Sequence, residues 1–169
     1  MKEFEKEFYA HLGLLSVKFA KLEFNISAIL GKLINSDEDL IVITLVENNS
    51  LNQNIELLKK INRIRKYQES TIENLIEEIG RIKNERNLFI HGLWGIPYES
   101  ENDVKVNCEE RKIRHTVDKD VKGNKVSQTW SLNKNQTYRL SYMKKRISTI
   151  DNILLAQEAF IRKLETEQL

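Results

Sequence analysis

The sequence predicts a mainly α-helical domain that carries a small β-hairpin insertion. Its 169 residues are enough for one domain with a substantial core. Only six glycines and one proline interrupt the chain, which favours long helices. Apolar residues recur every three or four positions over most of the chain, whereas residues 93–135 alternate between polar and apolar. We therefore expect an antiparallel helical bundle over residues 1–169, with a β-hairpin insertion at 93–135 between the last two long helices.

The composition argues against several classes of protein. With 40% hydrophobic and 31% charged residues and a net charge of +2, the chain is globular and only mildly basic. The single cysteine, Cys108, rules out an internal disulfide, and no Cys/His cluster suggests zinc. The residues "MKEFEKEF" lack an apolar signal region, and no apolar run is long enough to span a membrane. We expect a cytoplasmic protein without a metal or another cofactor.

The first two predicted helices occupy the N-terminal third. The first runs to about Asn35 and has an apolar stripe on one face: Phe4, Phe8, Leu12, Leu15, Phe19, Leu22, Ile26, Ile29 and Leu33. Ser36 and Asp37 could cap a short helix through "LIVITL". Because that run is rich in β-branched residues, it could equally form a strand.

Two further helices are predicted before the insertion. Ser50 is a suitable N-cap for the third helix, whose inward positions are Leu51, Ile55, Leu58 and Ile61. Gly92 and Pro97 should end the fourth helix. The apolar stripe of that helix is formed by Ile72, Leu75, Ile79 and Ile82.

Strand-like alternation within 93–135 precedes the last helix. A turn at Gly123-Asn124 should join the two strands of a hairpin, whose alternating positions are Val104, Val106 and Cys108, then Val126, Gln128 and Trp130. Thr137 is the expected cap of the last helix. Gln157 interrupts the stripe of that helix, which comprises Leu140, Met143, Ile147, Ile150, Leu154, Ile161 and Leu164.

The segment 84–95, "NERNLFIHGLWG", breaks the pattern of the fourth helix. Arg86 follows Ile82 by four residues, so a charge falls on the apolar stripe. Such a charge is costly unless it is paired or lies at an interface or in a cleft. Asn87 and His91 share a neighbouring face of the same helix. Arg86 and His91 point about 140° apart in a regular helix, so they converge only if the helix ends or bends near His91.

Residues Arg86, Asn87 and His91 resemble the motif of the HEPN superfamily, in which an Arg and a polar residue precede a His by a few positions. The resemblance implies an all-helical domain and, for many members, a metal-independent ribonuclease whose catalytic residues would be Arg86, Asn87 and His91. It also implies a homodimer, because HEPN domains usually pair. An antitoxin or a nucleotidyltransferase partner and a role as a toxin or antiviral effector are further expectations of this resemblance.

The residue types suit cleavage of RNA without metal. Attack of the 2′-hydroxyl on its own phosphate needs a base, an acid and positive charge near the phosphorane. His91 could transfer protons, and the guanidinium of Arg86 could stabilise the charge. Since one chain supplies one His in this motif, a dimer would bring two Arg–His pairs into one cleft.

Other residues are weaker candidates for contact with RNA. Asn84 could orient the motif or be merely solvated, and Glu85 is expected to be solvated. Trp94 could stack on a base, although packing is the more common role. Three basic clusters could guide a phosphate backbone or simply form solvated faces: Lys59, Lys60, Arg63, Arg65 and Lys66; Arg111, Lys112, Arg114 and His115; and Lys144, Lys145 and Arg146. Among these we assign Arg111 and Arg114 to substrate binding.

Two alternatives to an active enzyme stay open. In the first, the chain is a catalytically inactive HEPN-like module that binds RNA or a protein partner. In the second, it is a structural dimerisation domain whose Arg86 makes an ion pair. Glu23, within the apolar run of the first helix, is a candidate carboxylate for such a pair.

Overall fold

A computed structural model describes residues 1–34, 44–46, 48–67, 69–110, 114–131 and 134–167. It confirms a mainly helical protein with a small antiparallel sheet. The elements in chain order are α1 (Glu3–Ile34), α2 (Leu51–Arg65), α3 (Glu69–His91), β1 (Leu93–Trp94), β2 (Tyr98–Ser100), β3 (Asp103–Glu110), β4 (Arg114–Lys119), β5 (Lys125–Ser131), β6 (Lys134–Arg139) and α4 (Leu140–Thr166). Residues 44–46 are helical, and the rest of the element predicted after Ser36 lies outside the described residues.

The core forms mainly where α1 packs against α4, α2 and α3. The predicted stripes are buried in it, including Phe8, Phe19, Leu22, Ile79 and Met143. Gln157, which interrupts the α4 stripe, is also buried, and its amide nitrogen donates to the carbonyl of Leu22 at 3.3 Å.

The helix directions correct one part of the predicted bundle. Ion pairs join Glu7 to Lys144 and Lys32 to Glu165, so α1 and α4 run in the same direction. α2 is also parallel to the C-terminal part of α1. Asn54 near the start of α2 contacts Ser27, and Arg65 at its end contacts the Ile34 carbonyl. Within the described residues, α3 runs antiparallel to α1 and α2. The prediction of an antiparallel bundle was therefore wrong for the α1–α4 and α1–α2 pairs.

Local sequence features explain two helix boundaries. At the start of α2, Ser50 and Gln53 form a reciprocal capping box, as its sequence predicted. At the end of α3, a Cβ atom added to Gly92 would lie 2.4 Å from Cys108 Sγ and 2.5 Å from the Leu88 carbonyl oxygen. Glycine is therefore required at residue 92 because β3 approaches the end of the helix closely.

The insertion is larger than the predicted hairpin. In its main sheet the strands run β1-β3-β2, and β6 also pairs with β3. Val104, Val106 and Cys108 are buried, as their alternation predicted. β4 and β5 form a separate antiparallel hairpin, which we call the arm (residues 114–131). Its turn contains Gly123 at a φ of 81°, close to the predicted position.

The predicted cap of the last helix was wrong. Thr137 lies in β6, because the pairing of β6 with β3 continues to Arg139. The N-cap residue Arg139 makes no capping bond with its side chain. Asp103 of β3 provides the capping interaction instead, because the Asp103 carboxylate accepts hydrogen bonds from the Ser141 backbone N–H and hydroxyl. A distant strand thus caps α4.

No helix among the described residues is both long enough and apolar enough to cross a membrane.

Candidate functional site

The Arg–Asn–His motif occupies the last turns of α3, where this helix packs against α1. Two contacts fix the pairing: the rings of Phe19 and Phe89 stack with centroids 6.2 Å apart, and Glu23 contacts Arg86. Residue numbers fall along α1 as they rise along α3, so these helices are antiparallel here.

Arg86 is held by a carboxylate of its own chain. Its Nε donates to Glu23 Oε1 at 2.7 Å, and its Nη2 donates to Glu23 Oε2 at 3.4 Å. Both side chains are mostly buried, with 28% and 29% of their surface exposed. The remaining Nη1 donates to Asn87 Oδ1 at 3.2 Å. The charge on the apolar stripe is thus neutralised by the ion pair that the sequence suggested.

The other motif residues face solvent. Asn87 and His91 are exposed, one helical turn apart, and His91 is the last residue of α3. Asn84 is exposed as well. The structure therefore presents Asn87 and His91 on one accessible face, with the Arg86 guanidinium hydrogen-bonded to Asn87 at its edge.

Glu85 is not solvated as the sequence suggested. Its Oε1 pairs with Arg146 Nη2 at 2.7 Å, and only 20% of its side chain is exposed. Arg146 also donates from Nε to the Tyr142 hydroxyl at 2.9 Å and lies over that ring. Burial raises the pKa of Tyr142. This cluster was missed because the sequence does not show which α4 residues meet α3, although the four-residue spacing of Tyr142 and Arg146 is a local signal.

Trp94 lies in an aromatic cluster. Its ring stacks on Phe89 with a centroid distance of 5.8 Å and an interplanar angle of 3°, and it contacts Phe8 and Tyr138. Its Nε1 donates to the Phe89 carbonyl at 3.4 Å. These contacts support the packing role over base stacking.

The remaining predicted substrate contacts belong to the insertion. Arg114 begins β4, opposite Ser131 of β5, and so belongs to the arm and not to α3. Arg111 lies outside the described residues. The structure therefore brings Arg86, Asn87 and His91 together on one helix and places Arg114 on a separate element.

An apolar surface lies beside the motif. Leu14, Val17 and Phe24 are 42%, 66% and 72% exposed, although α1 is otherwise a core helix. With the small exposed residues between them they form the exposed α1 face: Ala10, Gly13, Leu14, Val17, Ala20 and Phe24. Successive residues of a helix are rotated by about 100° about its axis. Given the antiparallel packing of α1 and α3, this rotation places the exposed α1 face and Ile90 on the same side of the Glu23–Arg86 contact. Ile90 is itself 37% exposed.

The site has no evident metal ligands. Within the part of the chain that the structure describes, no three His, Cys, Asp or Glu residues are grouped closely enough to hold a metal ion. Comparisons of the chain with family models, with curated proteins and with solved structures return no match.

Proposed function

We propose that the chain is a metal-independent endoribonuclease of the HEPN type that acts as a homodimer. The observation that carries this proposal is the arrangement at the end of α3. There a hydrogen bond joins Arg86 to Asn87, and Asn87 and His91 are open to solvent on one face. These residues supply a cation, an amide and an imidazole at a surface that RNA can reach.

The chemistry needs two proton transfers. The 2′-oxygen bonds to the adjacent phosphorus while a base removes its proton. The bond from phosphorus to the 5′-oxygen breaks, and an acid gives that oxygen a proton. The products are a 2′,3′-cyclic phosphate and a free 5′-hydroxyl. His91 of one chain serves as base and His91 of a second copy as acid, while Arg86 stabilises the negative phosphorane.

The exposed α1 face supports the dimer. A stripe that leaves Val17 and Phe24 largely in water is a common feature of protein interfaces. Because this face adjoins the Arg86 contact, a two-fold axis near it brings both copies of the motif toward each other. A second copy is therefore the occupant that we assign to this face.

The resemblance of Arg86, Asn87 and His91 to the HEPN motif also suggests a biological setting. We propose a role as a toxin or antiviral effector, restrained by an antitoxin or a nucleotidyltransferase partner.

One observation favours a second candidate function, a catalytically inactive module that binds RNA or a protein partner. Both oxygens of the Glu23 carboxylate accept hydrogen bonds from Arg86. A guanidinium occupied in this way has one fewer edge for a phosphate. In this second reading the pair stabilises the contact between α1 and α3 and does no chemistry.

The test is cleavage of a mixed RNA pool by purified protein in excess EDTA. We expect wild type to release 2′,3′-cyclic phosphate ends and His91→Ala to be at least about 100-fold slower. His11→Ala is the matched control, because His11 is also a helical histidine. Within the described residues, the only hydrogen bond of its side chain is with the Glu7 carbonyl of the same helix. Cleavage by His91→Ala at the wild-type rate would overturn the assignment.

A second pair of variants separates the two candidate functions. Arg86→Ala should abolish cleavage, whereas Glu23→Gln keeps the guanidinium and should retain it. If the chain is the inactive module, wild type and both variants should show no cleavage above background, and both variants should lower thermal stability alike. Thermal melts of both variants should accompany the assay.

A further inference from the structure

We propose that the arm, the β4–β5 hairpin, binds the phosphate backbone of single-stranded RNA. This inference deepens the proposed function, on which it rests, by giving the substrate a second contact away from the motif. The first observation is that the hairpin is separate from the main sheet. Within the described residues, β4 pairs only with β5, and neither strand joins the sheet formed by β1, β2, β3 and β6.

Two strands alone are poorly stable in water, because a hairpin buries little apolar surface. The exposure of the arm agrees with this: Val121 is fully exposed, and Val126 is 66% exposed. A ligand that binds the folded hairpin would therefore stabilise it.

The charge of the arm indicates an anionic ligand. Residues 114–131 contain four lysines and arginines and two aspartates, a net charge of +2. The rest of the chain has 23 lysines and arginines and 23 acidic residues and is therefore neutral. The arm thus carries a positive charge equal to the net charge of the whole chain, as in electrostatic nucleic-acid footprints.

The register of the hairpin places lysines at its tip. Lys119 of β4 lies opposite Lys125 of β5, and Lys122 is exposed in the turn between them. Farther along the hairpin the register pairs Trp130 with His115, so the arm also contains residue types that single-strand binding proteins use for stacking.

The experiment measures binding separately from cleavage. A 5′-fluorescein-labelled 20-nucleotide RNA of mixed sequence is titrated with the full chain carrying His91→Ala, and fluorescence anisotropy is followed between 50 and 200 mM KCl. The arm variant adds Lys119→Gln, Lys122→Gln and Lys125→Gln. The matched control adds Lys59→Gln, Lys60→Gln and Arg63→Gln, which remove the same charge from α2.

We expect the arm variant to bind at least about tenfold more weakly at 100 mM salt. The slope of log affinity against log salt should fall by about 2, as the loss of three phosphate contacts to a single strand predicts. The α2 variant should stay within about threefold of its parent. Equal weakening in both variants, or unchanged binding by the arm variant, overturns the proposal.

Two further outcomes separate this inference from the proposed function. If the His91→Ala parent binds RNA and the arm variant binds equally well, the arm proposal fails while the nuclease proposal stands. If the parent does not bind RNA at any salt concentration, both fail. A change from dimer to monomer on loss of the three lysines would show that the arm contacts a second copy, which also overturns the proposal.

Discussion

The helical body (α1–α4) and the arm are stabilised in different ways. In the body, Phe19, Leu22 and Ile79 are almost completely buried, and helices distant in sequence enclose them. In the arm, the strands pair with each other, and Val121 and Val126 remain exposed. Side chains in the body are therefore constrained by the fold, whereas exposed positions in the arm can change with little effect on it. The exposed valines and lysines of the arm are more readily explained by binding than by stability.

The largest contrast should come from truncating one apolar side chain in each region. Phe19→Ala removes a buried ring that stacks on Phe89 and should cost about 3–5 kcal/mol in the free energy of unfolding. Val126→Ala in the arm should change it by less than about 0.5 kcal/mol. Chemical denaturation of both variants makes the comparison. A loss of more than about 2 kcal/mol for Val126→Ala would show that the arm is part of the core.

A smaller change in the free energy of unfolding is expected for a substitution where the helical body meets the sheet. Gly92→Ala forces a Cβ against Cys108 Sγ and the Leu88 carbonyl and should cost about 1–3 kcal/mol. Gly80→Ala is the matched control, because it lies within α3 and its added Cβ meets no atom within 4 Å. That variant should be stabilised by up to about 1 kcal/mol. Equal thermal melting of the two variants would contradict the close approach of β3 to α3.

The smallest change in the free energy of unfolding is expected when the cap of α4 is removed. Burial raises the pKa of Asp103, but hydrogen bonds from Ser141 and Val104 outweigh it, so the pKa lies below its ordinary value. A carboxyl with a lowered pKa in the folded state stabilises the protein above its unfolded pKa of about 3.9 and loses that effect as pH falls. Asp103→Asn should therefore cost about 1 kcal/mol at pH 7, and the difference from wild type should shrink below about pH 4.

The matched control for that series is Asp120→Asn in the turn of the arm. Asp120 also accepts backbone hydrogen bonds, from Lys122 and Asn124, but the residues of its turn are exposed. Its loss should leave the unfolding of the helical body unchanged at every pH. A pH-independent difference between Asp103→Asn and wild type would contradict the capping role of the carboxylate.

The sequence predicted the helices well because their apolar periodicity is local. The stripes of α1, α3 and α4 and the capping box at Ser50 are each specified within a few turns. Helix direction, the four-stranded sheet and the Asp103 cap depend on contacts between distant segments. Thr137 resembled a cap locally, but its pairing opposite Asn107 in the sheet prevented that role.

The site was predictable to a similar extent. The sequence identified Arg86 as a charge on an apolar stripe and suggested Glu23 as its partner, which the structure bears out. It did not anticipate the pair between Glu85 and Arg146, since neither residue shows which face of the other helix it meets. The predicted α1 stripe leaves out Leu14, Val17 and Phe24, and the structure exposes all three. The sequence did not show that they form one face beside the motif.

We propose that two chains meet at the exposed α1 face and together form the nuclease site. Sedimentation velocity of wild type beside Phe24→Glu, at the micromolar concentrations used for cleavage, tests it most directly. Ile64→Glu on α2 is the control, because Ile64 is 83% exposed and lies outside the exposed α1 face. We expect a dimer for wild type and the control, and a monomer without cleavage for Phe24→Glu. A wild-type monomer that cleaves RNA in EDTA would contradict it.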